Sequence, residues 1–221
     1  SVASRGLGDV YKRQLLTEAE RDEYGDIFKV IVFTGLREAE ATGLTWDCID
    51  FKMGRITVCK QLQKRPEADG GFQFAPLKND KVRVIAPAPY VMEVLKSRKV
   101  KQMKDRLRAD DLWAAWSTPA EQNKALVFTN PLGQHLHPQT VYNHLKKLAA
   151  KIGAPDACVH DLRHTFAVLS LQNGDNVKTV QGNLGHATAA FTLDVYGHVS
   201  ERMKEESAGR MQAFINSIKE A

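Results

Sequence analysis

His160-Asp161-Leu162-Arg163 is the most telling stretch of this chain, and Leu184-Gly185-His186 and Tyr196 follow it. Far upstream stands Thr34-Gly35-Leu36-Arg37-Glu38-Ala39-Glu40. Guanidinium groups match phosphate oxygens with paired hydrogen bonds and stay charged. Histidines move protons near neutral pH, and a tyrosine can be a covalent nucleophile. The set predicts an enzyme that attacks a phosphodiester with a tyrosine and needs no metal.

Each of these side chains has a place in such a reaction. Arg37 and Arg163 would hold the two non-bridging oxygens of a five-coordinate phosphorus, where fixed positive donors lower the barrier. Tyr196 would attack, but its ordinary pKa of about 10 calls for a base or a strong positive field. His160 is a candidate for that base or for a proton relay. His186 is a candidate hydrogen-bond donor to a phosphate oxygen.

The leaving deoxyribose oxygen needs a proton, which a lysine can supply. Lys78 lies in the polar turn Lys78-Asn79-Asp80-Lys81. It is a candidate general acid because a lysine, with an ordinary pKa of about 10.4, is protonated at rest. Lys81, in the same turn, is its rival.

Zinc binding is the alternative interpretation of the histidines. In His160-x-x-x-His164, however, Asp161 stands where the zinc metalloprotease motif has its glutamate, and no carboxylate ligand is evident. The glycine-rich loops that bind nucleotides are absent from the sequence as well. We therefore expect no metal and no cofactor.

The overall composition is that of an ordinary globular protein. The chain has 221 residues, of which 43% are hydrophobic and 26% charged, and a net charge of +5. This length can bury a core without disulfides or metals, and the modest positive charge permits a nucleic-acid partner. Cys48, Cys59 and Cys158 lack CxxC spacing, which favours a reducing cytosol. No apolar run approaches the ~20 residues of a membrane span.

Hydrophobic periodicity predicts a mostly helical chain with one small, three-stranded antiparallel sheet, an α+β class. Residues 1–16 show no periodicity, and we expect them to be disordered or foreign to the fold. Thr17 and Glu20 would then cap the first helix. Alternation predicts the three strands of the sheet at 55–59, 72–74 and 82–85, and a separate strand at 126–128. A loop is predicted at 109–124. Helices are predicted at about 17–34, 37–42, 89–108, 138–151, 161–173, 175–184, 188–196 and 200–219.

The motifs resemble those of the tyrosine recombinases, the phage integrase family, and most of all the integrases of conjugative transposons and prophages. The resemblance runs from about Thr17 to the end of the chain, with the motifs in family order. Residues 34–40 match the family's first arginine box and residues 160–165 its second. Residues 184–186 and 193–198 match the end of the pattern. The implied fold is the tyrosine-recombinase catalytic domain, at residues 17–199.

The resemblance also implies a role for each site residue. Residues 76–83 are similar to the hairpin that carries the family lysine. They depart from the common pattern at Asn79 and Val82, where threonine and serine are usual, so Lys81 stays a rival of Lys78. The implied roles are Arg37 and Arg163 as phosphate clamp, Lys78 as general acid, His160 as second-box histidine, His186 at the histidine/tryptophan position, Tyr196 as nucleophile, and Glu40 as support of the first arginine.

The activity that this resemblance implies is site-specific DNA recombination. Strands would be cleaved and rejoined through a covalent 3′-phosphotyrosine, for integration or excision of a mobile element. A type IB topoisomerase is the alternative, because its chemistry and fold are similar. The implied partners are double-stranded DNA and, on a DNA synapse, three further copies of the chain, which is expected to be a monomer when isolated.

The same resemblance implies where the protein acts and how the chain is organised. The expected location is the bacterial cytoplasm, at the nucleoid during recombination. The helix in residues 200–221 has an apolar stripe, which either packs on its own domain or is exchanged between subunits. Because only about 16 residues precede the first helix, an N-terminal DNA-clamping domain has no room, and we expect a catalytic-domain fragment.

Overall fold

A computed structural model describes residues 9–65, 71–77, 81–185 and 207–219. The chain divides into two compact units, residues 1–166 and 167–221. The helices are α1 (Asp9–Ala19), α2 (Gly25–Thr34), α3 (Glu38–Thr42), α4 (Pro89–Ala109), α5 (Pro119–Lys124), α6 (Pro138–Lys151), α7 (Val159–Gln172), α8 (Val177–Leu184) and α9 (207–219). The strands are β1 (Ile49–Asp50), β2 (Arg55–Val58), β3 (Gln61–Lys64), β4 (Phe72–Ala75) and β5 (Arg83–Ile85). Two short 3₁₀ helices lie at Trp46–Cys48 and Asp110–Leu112. The mostly helical α+β class is confirmed.

Helix α2 is central to the core of the first unit. Ile27, Phe28 and Val30 are fully buried, and the helix packs against α1, α3 and α4. Gly35 ends it in the left-handed conformation, with φ 68°, and donates its N–H to the Ile31 carbonyl at 2.9 Å. The end of the helix predicted at 17–34 is confirmed, but residues 20–24 divide that range between α1 and α2.

Helix α1 begins earlier than the sequence pattern predicts. Residues 9–16 are helical rather than irregular, and Leu15 is 2% exposed. The Thr17 hydroxyl donates to the Arg13 carbonyl at 3.2 Å inside the helix, so the predicted capping box at Thr17 is wrong. Leu15 and Ala19 lie one turn apart on the same face, and their burial stabilises a helix that begins before Thr17. The prediction for residues 1–8 lies outside the described residues.

A capping box of the same pattern does occur at α5. The Thr118 hydroxyl accepts the N–H of Glu121 at 3.3 Å, and the Glu121 carboxylate accepts the N–H of Thr118 at 3.3 Å and that of Ser117 at 2.7 Å. The segment 109–124, predicted to be a loop, therefore contains a short helix that begins at Pro119.

The strands form two antiparallel sheets instead of one. One sheet has the order β1-β2-β5, and in the other β3 pairs with β4. The prediction that 72–74 shares a sheet with 55–59 and 82–85 is wrong. Strand β3 is the partner of β4, and no strand was predicted there because Leu62 is its only apolar residue. Gln61 is buried beside it, where its amide donates to the Pro76 carbonyl at 2.7 Å.

The segment 126–129 is held by side chains of α4, and the strand predicted at 126–128 is wrong. Arg98 Nε donates to the Val127 carbonyl and its Nη2 to the Thr129 carbonyl, both at 3.1 Å. Gln102 donates to a third carbonyl of the segment at 2.9 Å. Buried carbonyls need donors, and two buried polar side chains provide here what a neighbouring strand would.

The described part of the second unit is helical. Asn176 caps α8 by accepting the N–H of Thr179 at 2.8 Å, and Gly185 ends it with φ 62°. Every residue of α9 is exposed, including Phe214 and Ile218. The predicted helix at 188–196 and the first residues of the last predicted helix lie outside the described residues. None of the helices described is long and apolar enough to cross a membrane.

Candidate active site

Arg37 lies at the sharp corner between α2 and α3. The left-handed turn at Gly35 ends α2, and Arg37 is the residue that precedes the first turn of α3. Its backbone N–H donates to Oε2 of Glu40 at 2.9 Å, which fixes the corner. The side chain is 31% exposed, so it can reach a ligand from an ordered backbone position.

Glu40 is the centre of the site. Its side chain is 1% exposed and binds two arginines: Arg37 Nη1 lies 2.8 Å from Oε1, and Arg83 lies 3.0 Å and 2.6 Å from the two oxygens. Burial alone would raise the pKa of this carboxyl. The hydrogen bonds and charges of Arg83 and then Arg37 outweigh burial, so the pKa lies below its ordinary value and Glu40 is ionised at neutral pH.

Arg163 is buried on α7 next to this carboxylate. Its side chain is 2% exposed, Nη1 donates to the Gly35 carbonyl, and Nη1 lies 4.0 Å from Oε2 of Glu40. Burial, followed by repulsion from Arg37, lowers the pKa of Arg163 to about 9. The group is still protonated at neutral pH. The second arginine box therefore lies beside the first.

His160 lies one turn before Arg163 on α7 and is exposed. Partial desolvation lowers its pKa, and the charges of Arg163 and Arg37 lower it further against the opposing effect of Asp161. The ring packs edge-to-face on His164, with centroids 4.5 Å apart. A histidine in this setting is neutral at pH 7 and able to accept a proton.

Asp161 caps the start of α7, which bears on the zinc alternative. Its carboxylate accepts the N–H of Cys158 at 2.8 Å. Among the described residues, no group of three or more histidine, cysteine or acidic side chains could hold a metal ion. His186 and His198 lie outside those residues.

Lys78, His186 and Tyr196 lie outside the described residues. Lys81, the rival of Lys78, is described; it is exposed and lies two residues before β5.

Arg83 is a residue of this site that the sequence motifs do not include. The alternation in residues 82–84 places both valines on one face of the strand, and that face is exposed, with Val82 at 61% and Val84 at 57%. Arg83 instead shares the inner face with Ile85, which is 2% exposed. The signal that could have found it is the two-residue spacing from Ile85, the strongest core residue of this strand.

The residues of this site lie within a stretch that matches a known family. The profile of the phage integrase family matches residues 12–203. A tyrosine recombinase XerC-like protein of Caldanaerobacter subterraneus subsp. tengcongensis is 26% identical over 185 residues, which are 80% of this chain and 46% of that protein. Tyrosine recombinase XerA of Pyrococcus furiosus is 28% identical over 217 residues, 97% of this chain and 64% of that protein. The chain spans about half the length of several of the curated relatives that it matches.

Solved structures share the fold. The Tn1549 transposon integrase, in complex with transposon right end DNA, superposes with a TM-score of 0.75 at 20% identity, covering 96% of this chain and 68% of that chain. The XerA recombinase gives a TM-score of 0.66 at 21% identity, covering 93% and 64%. The expected catalytic-domain fold is confirmed by these likenesses.

Proposed function

We propose that this chain, which belongs to the phage integrase family, carries the catalytic domain of a site-specific DNA recombinase. It cleaves and rejoins DNA strands through a covalent 3′-phosphotyrosine, and so integrates or excises a mobile element. One observation carries this proposal. Arg37 and Arg163, from distant segments, meet beside the single carboxylate of Glu40.

The two guanidinium groups stabilise the negative charge that develops on the oxygens of the scissile phosphate. In the five-coordinate transition state the non-bridging oxygens carry extra negative charge. Arg163 is fixed by burial and by its bond to the Gly35 carbonyl, whereas Arg37 is partly open to solvent. The Arg163 guanidinium is already held in place before the reaction, and the Arg37 guanidinium can be reached by the DNA backbone.

The remaining residues move protons and form the covalent bond. The Tyr196 oxygen bonds to phosphorus as the bond to the 5′ oxygen breaks, and His160 takes the phenolic proton. Lys78, or Lys81 in its place, gives a proton to the leaving 5′ oxygen. Attack by a 5′-hydroxyl on the phosphotyrosine reverses these steps and rejoins a strand. Phosphodiester bonds are conserved, so no energy-supplying cofactor is required.

Double-stranded DNA is the proposed partner. The Tn1549 integrase is solved with transposon DNA, and the XerH recombinase is solved bound to its difH substrate. The net charge of +5 agrees with such a partner but is modest. The proposed location is the bacterial cytoplasm, at the nucleoid when the enzyme acts.

On DNA, four copies are proposed to assemble, while the isolated chain is a monomer. The catalytic domain takes residues 17–199, extended toward the N-terminus by α1, and the C-terminal helix in 200–221 docks on a neighbouring copy. Support comes from α9, where Met211, Phe214 and Ile218 are 60%, 61% and 59% exposed. Phe214→Asp should impair strand exchange while leaving the melting temperature nearly unchanged. A collapsed melting temperature would contradict the exchange.

The relatives named above are recombinases and integrases, so they lend no support to the type IB topoisomerase alternative. The two activities share the covalent step and differ in how the strand is rejoined. A recombinase joins strands of two duplexes, whereas a topoisomerase rejoins the strand that it cut.

A trapping assay tests the proposed function. The chain is incubated with a nicked duplex of its element's end sequence, from which the short 5′-hydroxyl product diffuses away, and the covalent protein–DNA adduct is quantified. Tyr196→Phe loses only a hydroxyl, so it should abolish the adduct and leave DNA affinity nearly unchanged. An adduct that persists in Tyr196→Phe would refute the assignment of the nucleophile.

A further inference from the structure

Arg83 is a nearly buried arginine that the chemistry above does not use. It lies on β5, and its side chain is 9% exposed. Nη1 lies 3.0 Å from Oε1 of Glu40 and Nη2 lies 2.6 Å from Oε2. Two parallel bonds between a guanidinium and a carboxylate combine strength with a fixed geometry.

Arg37 holds the same carboxylate from its backbone and from its side chain. Its N–H donates to Oε2 at 2.9 Å and its Nη1 to Oε1 at 2.8 Å. Each oxygen of Glu40 therefore accepts one bond from Arg37 and one from Arg83. Because a carboxylate offers about four acceptor positions, these two arginines fill it and fix its orientation. The orientation of the Arg37 guanidinium depends on that carboxylate.

Charge gives Arg83 a second effect on the same site. Arg163 lies 4.0 Å from Glu40, beyond hydrogen-bonding distance. Without Arg83, the carboxylate would lose one of the guanidinium groups that bind it and would neutralise more of the positive charge of Arg37 and Arg163. A less positive cluster stabilises a negative phosphorane less well.

We propose that Arg83 is a positioning residue for DNA cleavage. Through Glu40 it aims Arg37, and it keeps the carboxylate from neutralising Arg37 and Arg163. This role rests on the proposed recombinase function.

The test compares Arg83→Met, which keeps the length of the side chain, with Arg83→Lys, which keeps the charge but not the fork. Arg55→Met is the matched control, since Arg55 is an exposed arginine on β2 of the same sheet. Adduct formation on the nicked duplex should slow roughly 10- to 100-fold in Arg83→Met, the scale of a small misplacement of a catalytic group. Arg83→Lys should restore part of the rate. DNA affinity should change less than about threefold, because the side chain makes little contact with solvent.

A double variant shows whether Arg83 acts through Glu40. If it does, Arg83→Met combined with Glu40→Gln should be about as slow as Glu40→Gln alone, since the carboxylate is already gone. Losses that multiply in the double variant would overturn the inference. So would an Arg83→Met rate equal to that of Arg55→Met.

Titration of the Glu40 carboxyl by NMR gives a readout that needs no cleavage. Its pKa should rise in Arg83→Met and not in Arg55→Met, because burial remains while the main counter-charge is lost. An unchanged pKa would overturn the role of Arg83. If the wild-type chain forms no Tyr196-dependent adduct, the proposed function fails and this titration alone decides whether Arg83 holds Glu40. If Arg83→Met does not fold, Arg83→Lys carries each comparison.

Discussion

Two buried arginines of the first unit, Arg98 and Arg163, have opposite surroundings. Arg98 donates to carbonyls of the segment 126–129 and lies 3.9 Å from its own carboxylate, Asp105. Arg163 lies near one carboxylate, Glu40, which two further arginines already bind. Within the described residues, Arg98 therefore faces one carboxylate, whereas three arginines surround the carboxylate of Glu40 and the net charge there is positive.

The pKa shifts of the two guanidinium groups reflect this difference. Burial is the largest influence in both and lowers the pKa. Around Arg98 the next influence is the opposite charge of Asp105, which raises the pKa. Around Arg163 it is the like charge of Arg37, which lowers the pKa further, to about 9. Arg98, which stabilises the fold, faces the carboxylate of Asp105, whereas Arg163, which we propose binds phosphate, shares the carboxylate of Glu40 with two other arginines.

The largest expected effect is on cleavage by Arg163→Ala. Loss of one fixed donor to the transition state should slow adduct formation by roughly 10²–10³-fold. Arg163→Lys should not restore the rate, because an ammonium group cannot hold two oxygens in the planar fork. Single-turnover trapping on the nicked duplex measures both variants. Near-normal cleavage by Arg163→Lys would contradict the claim that Arg163 serves a ligand through its planar guanidinium group.

The matched change at the structural arginine of the comparison is Arg98→Ala. It leaves the carbonyls of Val127 and Thr129 without their donor, and an unsatisfied buried group costs about 1–3 kcal/mol. We expect the free energy of unfolding to fall by about 2–3 kcal/mol in a denaturant titration. Cleavage per folded molecule should stay within about threefold of wild type. A hundredfold loss of cleavage at unchanged stability would show that Arg98 is not purely structural.

The positive field around Arg163 also predicts a pH dependence. His160 acts as a base only when neutral, so cleavage is lost as the pH falls through its pKa. That pKa is lowered by desolvation and by Arg163 and Arg37. The half-maximal rate should therefore lie below the ordinary histidine value of about 6.5, with a roughly tenfold loss per further pH unit. A midpoint above 6.5 in the pH–rate profile, or an unchanged profile in His160→Gln, would remove His160 as the base.

The smallest expected effect is that of chelation. Because guanidinium groups supply the positive charge, adduct formation should persist within about twofold in excess EDTA. Loss of activity on chelation, with recovery on added zinc or magnesium, would revive the metal interpretation of the histidines.

Much of the site was visible in the sequence because its geometry is local. Gly35 sets a helix end, and Arg37 and Glu40 are three residues apart, so their contact follows from the helix start. That Arg163 meets this corner came from the family resemblance, since spacing alone does not bring α7 to α2.

The features that the sequence missed depend on contacts that no local pattern records. Arg83 faces inward on a strand whose two neighbouring valines are exposed, because a buried carboxylate from another segment pairs with it. Strand β3 has too few apolar residues to be recognised. At 126–128, an apolar run typical of a strand is bound instead by Arg98 of α4. At Arg83 and at 126–128, a polar side chain from a distant element overrides the hydrophobic pattern.

The central claim is that the excess positive charge beside Glu40 acts on the charge of the scissile phosphate. The most direct test replaces one non-bridging oxygen of that phosphate with a methyl group, which removes its negative charge. With this neutral methylphosphonate, the rate ratio between wild type and Arg163→Ala should shrink from roughly hundredfold or more to below about tenfold. An undiminished ratio on the neutral substrate would contradict the account.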